Sequence, residues 1–79
     1  MIVKNYTIEL QTYHDEIIGR VCFTRDNGTR DESALYSIGE LNNIVQCWRM
    51  GELVGSFAIG ATLAPDARCT LAARYFKVA

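Results

Sequence analysis

Apolar and polar residues alternate from the start of the chain. Tyr6, Ile8 and Leu10 fall on one face, and Asn5, Thr7, Glu9 and Gln11 on the other. A period of two is that of a strand with one face buried, so residues 2 to 13 are expected to be extended. Tyr13-His14-Asp15-Glu16 interrupts the alternation with polar groups and predicts a turn. A second strand follows over Ile17 to Arg25, with Ile17, Gly19, Val21 and Phe23 on a common face. Asp26-Asn27-Gly28 then predicts a tight hairpin, because Asn-Gly readily takes the two positive φ angles of a type I′ turn. Thr29 to Tyr36 is the expected third strand. Its first half, Thr29-Arg30-Asp31-Glu32-Ser33, has almost nothing apolar, which marks a sheet edge or a partly irregular arm.

At Ser37 the period changes. Ser37-Ile38-Gly39-Glu40 has the spacing of a capping box, and Ile38, Leu41, Ile44, Val45 and Trp48 recur on one side at helical intervals. The pattern predicts a helix from Ile38 to about Met50, ended by Gly51 in the left-handed cap position and anchored on a sheet by Trp48. Leu53 to Leu63 alternates again and reads as a strand, and Ala64-Pro65-Asp66-Ala67-Arg68 reads as a turn. The tail from Cys69 to Val78 fits a final strand closing a hairpin. It also fits a second helix begun by Pro65, with Ala67, Leu71, Tyr75 and Val78 on one stripe. The strand is preferred, because Tyr-Phe-Lys-Val is strand-like and the turn before it is short. The element order is then β-β-β-α-β-β: a single α+β domain over residues 1–79, with an antiparallel sheet of four to five strands and one helix on one face.

Composition supports a folded domain. Of 79 residues, 49% are apolar, which offsets the entropy of ordering the chain. Eight Lys+Arg against nine Asp+Glu exclude a strongly basic nucleic-acid binder and a strongly acidic DNA mimic as default readings. The weakly polar stretch from Leu53 to Ala64 is too short for a spanning helix, which needs roughly 20 residues, so no membrane partner is expected. Met1-Ile2-Val3-Lys4-Asn5 lacks the basic and apolar regions of a secretory signal, and three cysteines make an odd set. Both point to a cytoplasmic protein with reduced thiols, in which the Asn-x-Thr matches at Asn5 and Asn27 stay unmodified.

Catalytic constellations are missing. His14 beside Asp15 and Glu16 is an acid–base pair by composition, but a turn tip offers no cleft that excludes water, and a solvated turn accounts for all three. Cys22, Cys47, Cys69 and His14 make a Cys₃His set only by count. Their gaps of 25, 22 and 8 residues lack the close pairs of a zinc knuckle, and small buried thiols account for the cysteines. No phosphate-binding glycine loop and no Gly-x-Ser-x-Gly elbow occurs. The expectation is a non-enzymatic protein without metal or cofactor.

The compositional anomaly is Arg25-Asp26-Asn27-Gly28-Thr29-Arg30-Asp31-Glu32, with five charges of both signs in eight residues. A solvated hairpin guarding a sheet edge is the default account of it; a mixed-charge contact arm of Arg25, Asn27, Arg30, Asp31 and Glu32 is the sharper one. Six of the eight basic residues are arginines, the cation suited to planar, desolvated contacts. The uncharged helix face of Asn42, Asn43 and Gln46, with Arg49, is a second candidate surface. As a whole-chain profile, a small motif-free α+β domain with such an arm resembles the phage-encoded anti-CRISPR inhibitors. The resemblance rests on no motif, and it implies stoichiometric binding to a CRISPR-Cas surveillance or nuclease complex in a bacterial host. A net charge of −1 sets this chain apart from the strongly acidic members. Two other readings stand beside it: a small nucleic-acid-binding or regulatory domain using Arg20, Arg25, Arg30, Arg68 and Arg74, and a homo-oligomer subunit with an exposed strand edge, or the second face of Val54 to Thr62, buried across a dimer.

Overall fold

A computed structural model of the chain describes residues 1–73. Its first two strands, β1 (Ile2–Tyr13) and β2 (Glu16–Thr24), form an antiparallel hairpin paired from Thr7–Cys22 to Tyr13–Glu16. The two-residue loop is His14-Asp15, and both residues have positive φ, 49° and 61°. That is the signature of a type I′ turn, whose twist matches the twist of the flanking strands. Left-handed backbone is costly for residues with a Cβ, by roughly 1–2 kcal/mol each, so Asp15→Gly is expected to raise stability by about 1 kcal/mol. Urea denaturation checks this; a midpoint shifted downward would show that the Asp15 side chain holds the turn by other means.

The second hairpin departs from the expected type I′ geometry. Gly28 N–H donates to the Arg25 carbonyl at 2.9 Å, and Arg25 N–H to the Thr29 carbonyl at 2.8 Å. Gly28 has φ 85°, and Asn27 is not among the positive-φ residues. This is a type I turn followed by a glycine bulge. Asn27 caps it from the side, its Oδ1 accepting from Thr29 N–H at 3.1 Å and from Thr29 Oγ1 at 2.6 Å.

The expected third strand is broken in two, β3 (Arg30–Glu32) and β4 (Tyr36–Ser37), both antiparallel to β2. Ser33 makes the break. Its N–H donates to the Val21 carbonyl at 2.8 Å, while its Oγ accepts from Val21 N–H at 2.9 Å, so a side chain stands in for the next ladder bond. The helix α1 (Ile38–Arg49) follows as its capping signals predict, with Ser37 as N-cap accepting from Glu40 N–H. At its end Glu52 N–H reaches the Cys47 carbonyl and Gly51 N–H the Trp48 carbonyl, a Schellman arrangement with Gly51 at φ 78°. Leu41, Ile44, Val45 and Trp48 are buried; Ile38, expected on the same stripe, is 42% exposed.

Three expectations are corrected beyond the helix. Residues 53–61 are not a strand but a chain of turns, with positive φ at Gly55, Ala58 and Gly60 and a single bridge between Val54 and Phe57. Phe57, Ala58 and Ala61 are buried by these turns, whereas Leu53 and Ile59, expected on one strand face with Phe57 and Ala61, are exposed. The last strand, β5 (Thr62–Ala73), pairs parallel with β1 rather than antiparallel with a preceding strand. The sheet is therefore mixed, in the order β3-β2-β1-β5 with β4 also on β2. The helix is the cause: β4–α1–β5 is a crossover, and a crossover returns the chain to the sheet in its former direction. The turn expected around Pro65 appears as a bulge within β5, where pairing jumps from Val3–Leu63 to Asn5–Arg68. Proline lacks the N–H that a regular ladder needs there. The tail is strand as far as Ala73, and the expectation for Arg74 to Val78 lies outside the described residues.

The α+β architecture, one helix against an open five-stranded sheet, is as the pattern predicts. α1 and the turns at 53–61 enclose the core, in which Val3, Tyr6, Val21, Phe23, Trp48 and Phe57 meet. Among the described residues no helix covers the opposite sheet face.

Candidate functional site

Strand alternation sends Thr7, Glu9 and Gln11 of β1 to that uncovered face. Arg20, Cys22 and Thr24 of β2 join them, because Thr7 pairs with Cys22 and Glu9 with Arg20. Glu32 and Arg30 of β3 come alongside by pairing with Cys22 and Thr24. Arg68 and Thr70 of β5 complete the surface through Asn5 and Thr7. Glu9 is only 1% exposed although it lies on the open face, because guanidinium groups lie over it.

Arg20 Nε donates to Glu9 Oε1 at 3.0 Å, and Arg30 Nη2 donates to the same oxygen. Arg20 Nη1 lies 3.0 Å from Glu32 Oε2, and Arg30 Nε 2.8 Å from Glu32 Oε1. The four side chains close a ring of alternating sign, Glu9–Arg20–Glu32–Arg30, drawn from three strands. A buried carboxylate is tolerated only when paired and hydrogen-bonded, and the ring meets both conditions. Beneath it lies Cys22, whose Sγ donates to the Thr7 carbonyl at 3.6 Å and accepts from Arg30 Nη2 at 3.3 Å. Burial pushes the Cys22 thiol up, the Glu9 charge adds to the shift, and Arg30 opposes it. The thiol is thus held protonated and is poorly suited to act as a nucleophile.

The charged arm is divided by the alternation of β3. Arg30 and Glu32 face the open side, whereas Asp31, paired with Phe23, faces the core side. Arg25 Nη2 contacts Asp31 Oδ2 at 2.5 Å and donates to the Ile59 carbonyl at 2.8 Å; its guanidinium stands over the Phe23 ring at 5.4 Å. Asp31 Oδ2 also accepts from Ala58 N–H at 3.2 Å. Arg25 and Asp31 therefore staple the turns at 53–61 to the sheet. Asn27 stays at the exposed tip. Reading the charges as one run missed Glu9 and Arg20; the signal was a glutamate on the polar side of the strongest alternating stretch, facing a neighbouring strand that carries an arginine.

Where the β1–β2 pairing ends at Thr7–Cys22, β1 continues along β5 and β2 along β3. An open trough of about 430 Å³ lies there, lined among others by Lys4, Asn5, Thr7, Cys22, Thr24 and Arg30. Ile2, Tyr6 and Phe23 also line it, so its walls are mixed in polarity, and through Arg30 it adjoins the ion-pair ring. The three cysteines are dispersed, with Cys22 buried, Cys47 half-buried and Cys69 exposed. Among the described residues no group of His, Cys, Asp and Glu is placed to hold a metal, and no helix is long and apolar enough to cross a membrane. No protein-family model, curated protein or solved structure matches the chain.

Proposed function

We propose that the protein is a non-enzymatic binding module that docks the open face of its sheet, stoichiometrically, on a larger protein or ribonucleoprotein. The observation that supports this is the Glu9–Arg20–Glu32–Arg30 ring, held on a rigid sheet face that the helix leaves bare. Side chains already locked by mutual hydrogen bonds lose little freedom on binding, so contacts made through them are favoured entropically. Arginines with part of their planar groups still accessible, at 22% and 39% exposure for Arg20 and Arg30, are suited to the centre of a protein interface.

The charge pattern favours protein over nucleic acid. Arg20, Arg30 and Arg68 share the open face, which is the feature that supports the nucleic-acid reading; Arg25 is turned to the other side and Arg74 lies outside the described residues. Glu9 and Glu32 offset Arg20 and Arg30, whereas phosphate recognition depends on uncompensated cations. A small rigid module that occludes a surveillance or nuclease complex, as anti-CRISPR inhibitors do, is the specific form of this proposal.

The test compares faces. Thr24→Glu with Arg68→Glu alters the open face outside the ring, and Asn42→Glu with Gln46→Glu alters the outer face of α1; all four residues are exposed. In tagged recovery from a bacterial lysate, the open-face variant should weaken the stoichiometric complex at least about tenfold and the helix variant should leave it intact. The reverse result moves the site to the helix. Recovery of no stoichiometric partner by the unaltered protein overturns the proposal.

A further inference from the structure

The two edges of the sheet differ in kind. On one side the outer strands are β3 and β4, three and two residues long, separated by the Ser33 break and carrying Arg30, Asp31 and Glu32. Short, interrupted, charged strands are the usual means by which a sheet edge avoids pairing with another chain. On the other side the outer strand is β5, 12 residues long and hydrogen-bonded to β1 alone among the described residues. Its stretch Cys69-Thr70-Leu71-Ala72-Ala73 has no charge, no proline and no glycine, and it runs in unbroken register with Tyr6 to Leu10 of β1. Leu71 is 68% exposed on the helix side of this strand. Half of the backbone N–H and C=O groups of such a strand point away from the sheet and fit another strand.

We propose that the protein forms a closed two-fold dimer in which Cys69–Ala73 of β5 pairs antiparallel with the same segment of a second copy. The edge asymmetry identifies the occupant. Head-to-tail growth requires two open edges, one on each side, and the β3–β4 side is blunted. Pairing β5 with β5 uses the open edge of both copies at once and leaves only blunted edges outside, which is what a closed assembly requires. A two-fold axis that relates antiparallel strands within one sheet stands perpendicular to that sheet. The two five-stranded sheets then merge into one, with both helices on one side and both open faces on the other. Leu71 of each copy is covered by the partner's β5, and Arg68 and Thr70 of the two copies flank the axis on the open face. The proposal does not depend on what that face binds.

Sedimentation equilibrium of the full chain from about 1 µM to about 1 mM tests it. The expected result is a mass rising with concentration from 8.9 kDa towards twice that value and no further. Leu71→Lys, which places a charge on the exposed edge, should hold the mass at the protomer value with an unchanged circular dichroism spectrum. Ala73→Lys, also at an exposed position, should do the same and decides the matter if the Leu71 variant fails to fold. A protein that stays at the protomer mass throughout overturns the proposal. So does a folded lysine variant that still dimerises, or a mass that grows past the dimer.

Discussion

Replacing Trp48 with alanine is expected to destabilise the protein by about 3–5 kcal/mol, a large share of its total stability. A domain of this size has a total stability of only roughly 4–12 kcal/mol. Trp48 is 3% exposed and sits at the centre of the aromatic cluster. Its ring lies 5.3 Å from Phe23 in a stacked pair, and 5.1 Å from Phe57 and 5.8 Å from Tyr6 in edge-to-face pairs. Each of these contacts joins a different element to α1: β2, the turns at 53–61, and β1. The indole Nε1–H also donates to the Ala61 carbonyl at 3.0 Å, tying the helix to the residue just before β5. Alanine removes the packing and this hydrogen bond together, so the turns at 53–61 lose their anchor as well as their neighbour. Trp48→Phe should restore much of the packing and none of the hydrogen bond, and is expected to lie between the two. Urea denaturation followed by circular dichroism measures both. A Trp48→Ala midpoint close to that of the unaltered protein would show that the cluster holds without its central ring.

The parts of this fold that were legible in sequence are those set by local chemistry. Ser37 and Glu40 start the helix and Gly51 ends it, because capping groups bond to backbone within four residues of themselves. The first hairpin was legible because its strands alternate cleanly and its turn is polar. The turns at 53–61 were not, since apolar residues that alternate in sequence occur both in strands and in successive tight turns, and Leu53 and Ile59 of that alternation are exposed. Ala58 at φ 60° decides between them, and nothing about alanine announces that angle. It is held by Asp31, from a strand 27 residues earlier, which accepts a hydrogen bond from its N–H. Parallel pairing of β5 was likewise invisible, because it follows from where the helix crosses the sheet and not from residues within the strand.

The candidate site was half legible for the same reason. The charge density of residues 25 to 32 stood out, but a run of neighbours along a strand is separated onto opposite faces by the pleat. Arg25 and Asp31 went to the core side and became a structural staple, while Arg30 and Glu32 went to the open side. Their partners there, Glu9 and Arg20, come from two other strands, and only the pairing register brings the four together. A surface assembled across strands is a property of register, which one sequence specifies through many weak preferences at once.

Gly19→Ala is expected to cost about 3 kcal/mol, although it adds a single methyl group to a position any residue could adopt by backbone angle. Gly19 is paired with Leu10 of β1 on one side and Tyr36 of β4 on the other, and it faces the helix. A Cβ at this position would stand 2.6 Å from the Glu9 carbonyl oxygen, 2.8 Å from Leu10 Cδ2 and 2.9 Å from Leu41 Cδ1. All three lie inside van der Waals contact, and they differ in how far they can yield. The two leucine methyl groups can move aside by a change of rotamer at moderate cost. The Glu9 carbonyl belongs to the backbone of β1, so relieving that contact requires β1 and β2 to shift apart along their shared ladder. Glu9 and Arg20 sit next to this point, so the shift would also disturb the ion-pair ring on the opposite face. Thermal or urea denaturation of Gly19→Ala measures the cost. A double variant, Gly19→Ala with Leu41→Ala, identifies its source. Because the shortest contact is to backbone, removing the Leu41 side chain should recover little, and its own cavity should lower stability further. If the double variant regained the stability of the unaltered protein, the side chains of the helix rather than the β1 backbone would be what requires glycine at this position.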